Sequence, residues 1–208
     1  MRRPEPSFTR LDVEKRRRLL LAEGRALFTS HAYDEVSMAA IAKQAGISKA
    51  LLYHYFPSKQ AFFEATLAET GAEVLARTAP DPSKPPVEQL SASLDAYLEW
   101  IQGHVDAYRK LLESATGSPE VRGLIEGIRD QSAVRVLEGL YPDGEPKPTV
   151  RSAVRGWLWF IDGACLDWTT HGGSSRDELR GLLLGTLFGT LTAAGIGDDL
   201  PSLLQPGP

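Results

Sequence analysis

An all-α protein of about nine helices is what this 208-residue sequence predicts, on three observations. Runs of β-branched residues alternating in the strand manner are almost absent. Proline and glycine clusters cut the chain into segments of helical length: Pro4 and Pro6, Pro80 to Pro86, Gly117 to Pro119, Tyr141 to Pro148 and His171 to Gly173. Residues that open helices stand just where those segments begin.

The segments run at roughly 12–30, 37–45, 48–54, 58–78, 86–103, 104–116, 119–140, 149–170 and 175–195. The first follows a short arm marked by Pro4 and Pro6. The second opens at Ser37 and closes at Gly46, a residue suited to the left-handed turn after a helix. Ser48 is placed to cap the third. The linker of Pro80 to Pro86 separates the fourth from the fifth, and His104 stands between the fifth and sixth. Ser118 before Pro119 offers the seventh a capping hydroxyl and a first-turn proline whose missing N–H costs nothing. The stretch Tyr141 to Pro148 precedes the eighth. Ser175 and Glu178 form a capping box at the ninth, each side chain accepting the other's free N–H.

Composition bounds the function. Apolar residues make up 42% and charged residues 24%, ordinary for a globular protein. The single cysteine, Cys165, excludes a disulfide framework within the chain and gives no support to a cysteine-based zinc site. No secretion-signal pattern opens the sequence, so the expected compartment is the cytoplasm. The net charge of −4 is unevenly held: residues 1–60 carry +5 and residues 61–208 carry −9. A basic head on an acidic body suits a chain that meets a polyanion at one end. We therefore expect a head over 1–60 and a body over 61–208.

The informative stretch runs from Ser37 to Lys59, SMAAIAKQAGISKALLYHYFPSK. Ala39, Ala40, Ile41, Ala42 and Ala45 make a compact short helix. Gly46 and Ile47 turn the chain, and Ser48 starts a second short helix. A short helix, a glycine turn and a second short helix form a helix-turn-helix, whose second helix enters the major groove of DNA.

These residues closely resemble the tetracycline-repressor (TetR) family. The resemblance rests on Ser37, Ile41-Ala42, Ala45-Gly46-Ile47-Ser48, Tyr53-His54-Tyr55-Phe56 and Ser58-Lys59, with Ala26-Leu27-Phe28 and Tyr33 upstream. It covers about residues 15–65. It implies a three-helix DNA-binding domain followed by a helical ligand-binding and dimerisation domain. It further implies that Ser37 and Tyr53 contact phosphates through their hydroxyls and Lys59 through its charge. Ser48, Lys49, Ala50, Leu51 and His54 belong to the same DNA-binding set, with Lys49, Ala50, Leu51 and His54 facing the groove. Leu52 and Phe56 are implied to be core. Phosphate contacts fix register, and base-edge contacts carry sequence information. Two positions depart from the family. Ala32 stands where glycine is usual, and Leu51 where a small or hydroxylated residue is usual. An exposed leucine reads a thymine methyl without hydrogen bonding, so Leu51 suggests an A·T pair; the alternative is that it packs inside. Arg2, Arg3, Arg10 and the run Lys15 to Arg18 form either additional DNA contacts or a solvated basic patch.

In the body, Gly181, Gly185, Gly189 and Ala193 recur every four residues along one stripe of a helix. Leu182, Leu183, Leu184, Leu187, Phe188 and Leu191 cover most of the rest, and a helix apolar nearly all round has to be buried. A membrane span is the rival reading, but the uncharged run from Gly181 to Gly197 is short and glycine-rich. By the resemblance, this helix and the one holding Trp157 to Trp168 pair with a two-fold mate, with Gly181, Gly185, Phe188 and Gly189 at the interface. The resemblance also places a small-molecule pocket among the aromatic residues, for which Tyr97, Trp100, His104, Tyr108, Trp157 and Phe160 are the candidates. Such a lining suits a largely apolar or flat ligand; ordinary core packing is the alternative for each ring. Asp162 and Asp167 lie in an otherwise apolar helix. Either would serve a ligand's polar group, and a solvent-facing or Arg155-paired carboxylate is the plainer expectation.

Catalysis is not expected. His31, His54, His104 and His171 stand far apart without metal-ligand spacing, and no G-x-S-x-G elbow or G-x-x-x-x-G-K loop is present. No cofactor and no metal are expected. The sequence thus reads as a homodimeric, one-component transcriptional repressor. Its partners are a double-stranded DNA operator and a small-molecule effector that shifts it toward a form with wrongly spaced recognition helices. The competing reading is a helical ligand-binding or scaffold dimer without DNA-binding activity.

Overall fold

Capping chemistry sets the helix boundaries in a computed structural model that describes residues 10–31, 33–142 and 144–196. Ala32 and the arm with Arg2 and Arg3 lie outside the described residues. Among those residues there are nine α-helices and no strand: α1 Arg10–Ser30, α2 Met38–Gln44, α3 Lys49–Tyr55, α4 Lys59–Arg77, α5 Pro86–Gly103, α6 Val105–Gly117, α7 Pro119–Leu140, α8 Pro148–His171 and α9 Arg176–Leu191. A 3-10 turn, Tyr33–Glu35, precedes α2, and a wider turn, Thr192–Ile196, closes α9. The chain divides into two units between Thr70 and Gly71, inside α4.

In the first unit, Leu20, Leu21 and Phe28 of α1 meet Met38, Ile41 and Ala42 of α2, Leu52 of α3, Phe56, and Phe62 of α4 in one buried cluster. The rings interlock edge to face, with 4.8 Å between the centroids of Phe56 and Phe62 and of Phe28 and Phe63. Gly24 lets α1 approach this cluster: a Cβ there would lie 2.3 Å from the Phe62 ring.

The link between α2 and α3 is a closed set of backbone bonds. Ile47 N–H donates to Ala42 C=O (3.0 Å) and Gly46 N–H to Lys43 C=O (3.2 Å). Gly46 sits at φ 65°, the left-handed conformation that this pair of bonds requires. Ser37 Oγ accepts from Ala40 N–H and Ser48 Oγ from Leu51 N–H, each at 3.1 Å. Every part of this turn is specified within six residues of itself, and α3 leaves it in a determined direction.

The second unit buries Leu94, Leu98 and Ile101 of α5 against Val150, Val154 and Ile161 of α8 and Leu179, Leu183, Leu187 and Leu191 of α9. Pro86, Pro119 and Pro148 each occupy the opening turn of a helix. The Ser175–Glu178 capping box starts α9. Indole donors fix the α8–α9 pair: Trp157 Nε1 donates to Leu183 C=O of α9 and Trp168 Nε1 to Ser174 C=O in the intervening turn, both at 2.8 Å. Asp95 of α5 holds Arg180 of α9.

Candidate nucleic-acid interface and effector site

The direction of α3 decides which of its side chains are available. Leu52 is fully buried and Phe56, just after the helix, is 2% exposed. Ala50 and His54 therefore lie on the opposite side, Tyr53 stands on the flank and Lys49 opens the helix; all four are exposed, with Tyr53 at 43%. Leu51 is half-buried, neither core nor fully open. Lys49 Nζ lies 5.8 Å from the Tyr53 ring centroid, so charge and hydroxyl share one patch. Ser37 and Ser48 use an oxygen lone pair to cap their helices, which leaves each O–H able to donate to an anion.

Lys59 has an additional role. Its Nζ donates to Tyr33 C=O at 3.0 Å and lies 4.2 Å from the Tyr33 ring centroid, tying the start of α4 to the 3-10 turn. An ammonium has three donors, so this bond leaves others. Sequence reasoning missed Tyr33 as its partner. Arg17 lies over the Phe56 ring, 5.4 Å from its centroid.

In the second unit the break at His104 brings four of the six expected effector residues together. Tyr97 and Trp100 share a face of α5 at a spacing of three. Trp100 and His104 stack at 4.8 Å between centroids with 18° between planes. Tyr97 and Tyr108 meet edge to face at 6.4 Å. His104 Nδ1 lies 2.8 Å from Trp100 C=O; a carbonyl only accepts, so Nδ1 carries the proton. Trp100 is 4% exposed, and its indole N–H is buried without a hydrogen-bond partner.

The other two expected residues lie elsewhere. Trp157 is buried, with its N–H committed to Leu183. Phe160 stands on the exposed face of α8 beside Trp159, because the inward stripe of that helix is Val154, Trp157, Ile161 and Cys165. Asp162 also departs from expectation. Arg155 pairs with Asp130 at 3.0 Å, whereas Asp162 Oδ2 takes Arg129 Nη2 at 2.5 Å and Nε at 2.7 Å. The Asp162 and Arg129 side chains are only 17% and 16% exposed, and the guanidinium carbon lies 3.8 Å from the Trp159 ring centroid. Asp167 is exposed and pairs with His171.

Burial governs the acid–base state of this cluster. It pushes the Asp162 carboxyl above the usual carboxylate range, against the opposing pull of Arg129. It also pushes up the Tyr97 and Tyr108 phenols, which face Asp162, and raises the Cys165 thiol to about 12. Both phenols stay protonated at neutral pH. The Tyr108 hydroxyl reaches Asp162 only at 3.4 Å.

The α9 stripe is open in the single chain. Gly181, Gly185, Gly189 and Ala193 are exposed, and a Cβ on any of the three glycines would meet nothing within 4 Å. Leu182 on α9 and Trp159 and Phe160 on α8 are exposed as well, while Phe188 is half-buried against the core. By length and composition alone, Arg176–Ile196 is apolar enough to cross a membrane. Its Leu179, Leu183, Leu187 and Leu191 are nevertheless packed in the core.

Residues 20–66 match the bacterial regulatory proteins of the tetR family, and residues 86–189 match the tetracyclin repressor-like C-terminal domain. The chain belongs to the TetR family. It is 29% identical over 180 residues to the HTH-type transcriptional regulator BetI of Stenotrophomonas maltophilia, covering 81% of this chain and 91% of that protein. It is 30% identical over 111 residues to the transcriptional activator FasR of Mycolicibacterium smegmatis, about half of each chain. A tetR-family regulator of Streptomyces coelicolor superposes with a TM-score of 0.80 at 27% identity, over 92% of this chain and 87% of that one.

The TetR family consists of DNA-binding transcriptional regulators, not enzymes. The residue that sequence reasoning missed in this TetR-family body is Arg129. A carboxylate inside an apolar helix signals that a counter-charge exists. Nothing local distinguishes Arg129, 33 positions away on α7, from the other arginines of that helix.

Proposed function

We propose that this TetR-family chain is a cytoplasmic, homodimeric, one-component repressor that leaves its operator when a small, largely apolar molecule enters the second unit. The observation carrying this reading is the outward set of α3, Lys49, Ala50, Tyr53 and His54, backed by fully buried Leu52. Ser37, Ser48, Tyr53 and Lys59 supply hydroxyl and ammonium donors for phosphates. Lys49, Ala50, Leu51 and His54 face base edges. The exposed stripe of Gly181, Gly185 and Gly189 on α9, together with exposed Leu182 on α9 and Trp159 and Phe160 on α8, supports a second copy at these two helices. An apolar surface of this kind is what a two-fold mate covers. Tyr97, Trp100, His104 and Tyr108 are the effector-facing group.

The test is fluorescence anisotropy with labelled DNA from immediately upstream of the chain's own gene, at two salt concentrations. Saturable binding that weakens steeply with salt is expected. Absence of binding would favour the helical scaffold reading.

A further inference from the structure

We propose that the effector is an uncharged, flat molecule carrying a hydrogen-bond-accepting oxygen, received by the indole N–H of Trp100 beside the stacked His104 ring and the Tyr97–Tyr108 pair. The inference rests on reading this chain as effector-controlled, and it names the chemistry that the effector needs.

The Trp100 indole N–H is a buried donor without a partner. Buried Trp157 gives its N–H to a carbonyl at 2.8 Å, as buried indoles ordinarily do, and even half-buried Trp168 finds one at 2.8 Å. Trp100 does not, although it is 4% exposed. A buried N–H without an acceptor is costly, so a molecule that brings an oxygen to it gains both the bond and the removal of that cost. The donor stands among flat rings, with His104 stacked on Trp100 and Tyr97 one helical step away. Such walls take a planar partner.

Charge is decided by Arg129 and Asp162. The carboxylate is held through one oxygen by two guanidinium nitrogens, at 2.5 and 2.7 Å. The guanidinium face is covered by Trp159. A cation arriving at Asp162 meets Arg129, and an anion arriving at Arg129 meets Asp162. Neither ion finds an uncompensated partner, and burying an ion without one is unfavourable. The phenols of Tyr97 and Tyr108 remain neutral and add no charge. The site therefore discriminates against a quaternary ammonium and against a free fatty carboxylate.

The test uses the full chain with three probes at pH 8: acetophenone as the flat uncharged ketone, choline as the cation and laurate as the anion. Isothermal calorimetry should show saturable binding of the ketone, with choline and laurate at least tenfold weaker. Trp100→Phe should weaken the ketone at least tenfold. Indole signals of the isotope-labelled wild type supply a readout that needs no variant. One of the four N–H resonances should move downfield on saturation, while the two already bonded to Leu183 and Ser174 hold their positions. Choline or laurate binding as tightly as the ketone, no ketone binding, wild-type affinity in Trp100→Phe, or four unmoved resonances would each overturn the proposal. Operator binding is followed in parallel. A chain that binds operator but not the ketone refutes this inference alone, and one that binds the ketone but no operator refutes the repressor reading alone.

Discussion

Replacing Arg129 by methionine removes the charge that makes Asp162 tolerable inside the second unit. Both side chains are mostly buried, and two short hydrogen bonds join them. Breaking a buried pair from one side costs about 3–5 kcal/mol, because the remaining charge is left uncompensated. In a chain of this size that corresponds to a melting temperature lower by about 6–20 °C. The loss should depend on pH with a definite sign. Asp162 already sits above the ordinary carboxylate range through burial, and without Arg129 it rises further. A carboxyl whose folded pKa exceeds its unfolded value holds its proton longer in the native state. It opposes folding increasingly as pH climbs from the unfolded value through the folded one, so Arg129→Met should be least harmful at acid pH. Asp162→Asn in the same chain should recover part of the loss, since no charge is then stranded. The assay is urea unfolding followed by circular dichroism at pH 5 and pH 7.5, for both single variants and the double one. An equal penalty at both pH values, or a double variant no more stable than Arg129→Met, would refute the reasoning.

Three further outcomes are expected. Gly185→Leu should abolish dimers in sedimentation while leaving the protomer's helix content unchanged, because within one chain the new side chain meets open space. Lys59→Ala should lower the salt slope of operator binding by about 1. It should also cost about 1–2 kcal/mol in a thermal melt, through the lost hydrogen bond and ring contact with Tyr33. Leu51→Ala should relax preference at one A·T pair in a binding-site selection. Leu51 is only half-buried, so the melt should fall by less than the roughly 2–5 kcal/mol of a core leucine; a larger fall with unchanged selected sequences would assign Leu51 to the core.

The sequence by itself determined the helices and the helix-turn-helix, because their causes are local. Ser37, Ser48, Ser118 and Ser175 cap within three residues of themselves, and Gly46 closes its turn on carbonyls no more than five positions from its own neighbour. A spacing of four was enough to place Gly181, Gly185 and Gly189 on one stripe. What the sequence did not determine is which rings face which way and who neutralises whom. Phe160 was indistinguishable from Trp157 as a lining residue, since both are aromatic and three apart on α8. Only the packing of α9 against that helix turns Trp157 inward and leaves Phe160 outside. Asp162 had Arg155 within its own helix, yet Arg129 comes from α7 and Arg155 pairs elsewhere. Lys59 likewise finds Tyr33 across 26 positions. Capping and periodicity are set by backbone geometry over a few residues, whereas counter-charges and ring orientations depend on helix–helix register, which exists only once the chain has packed.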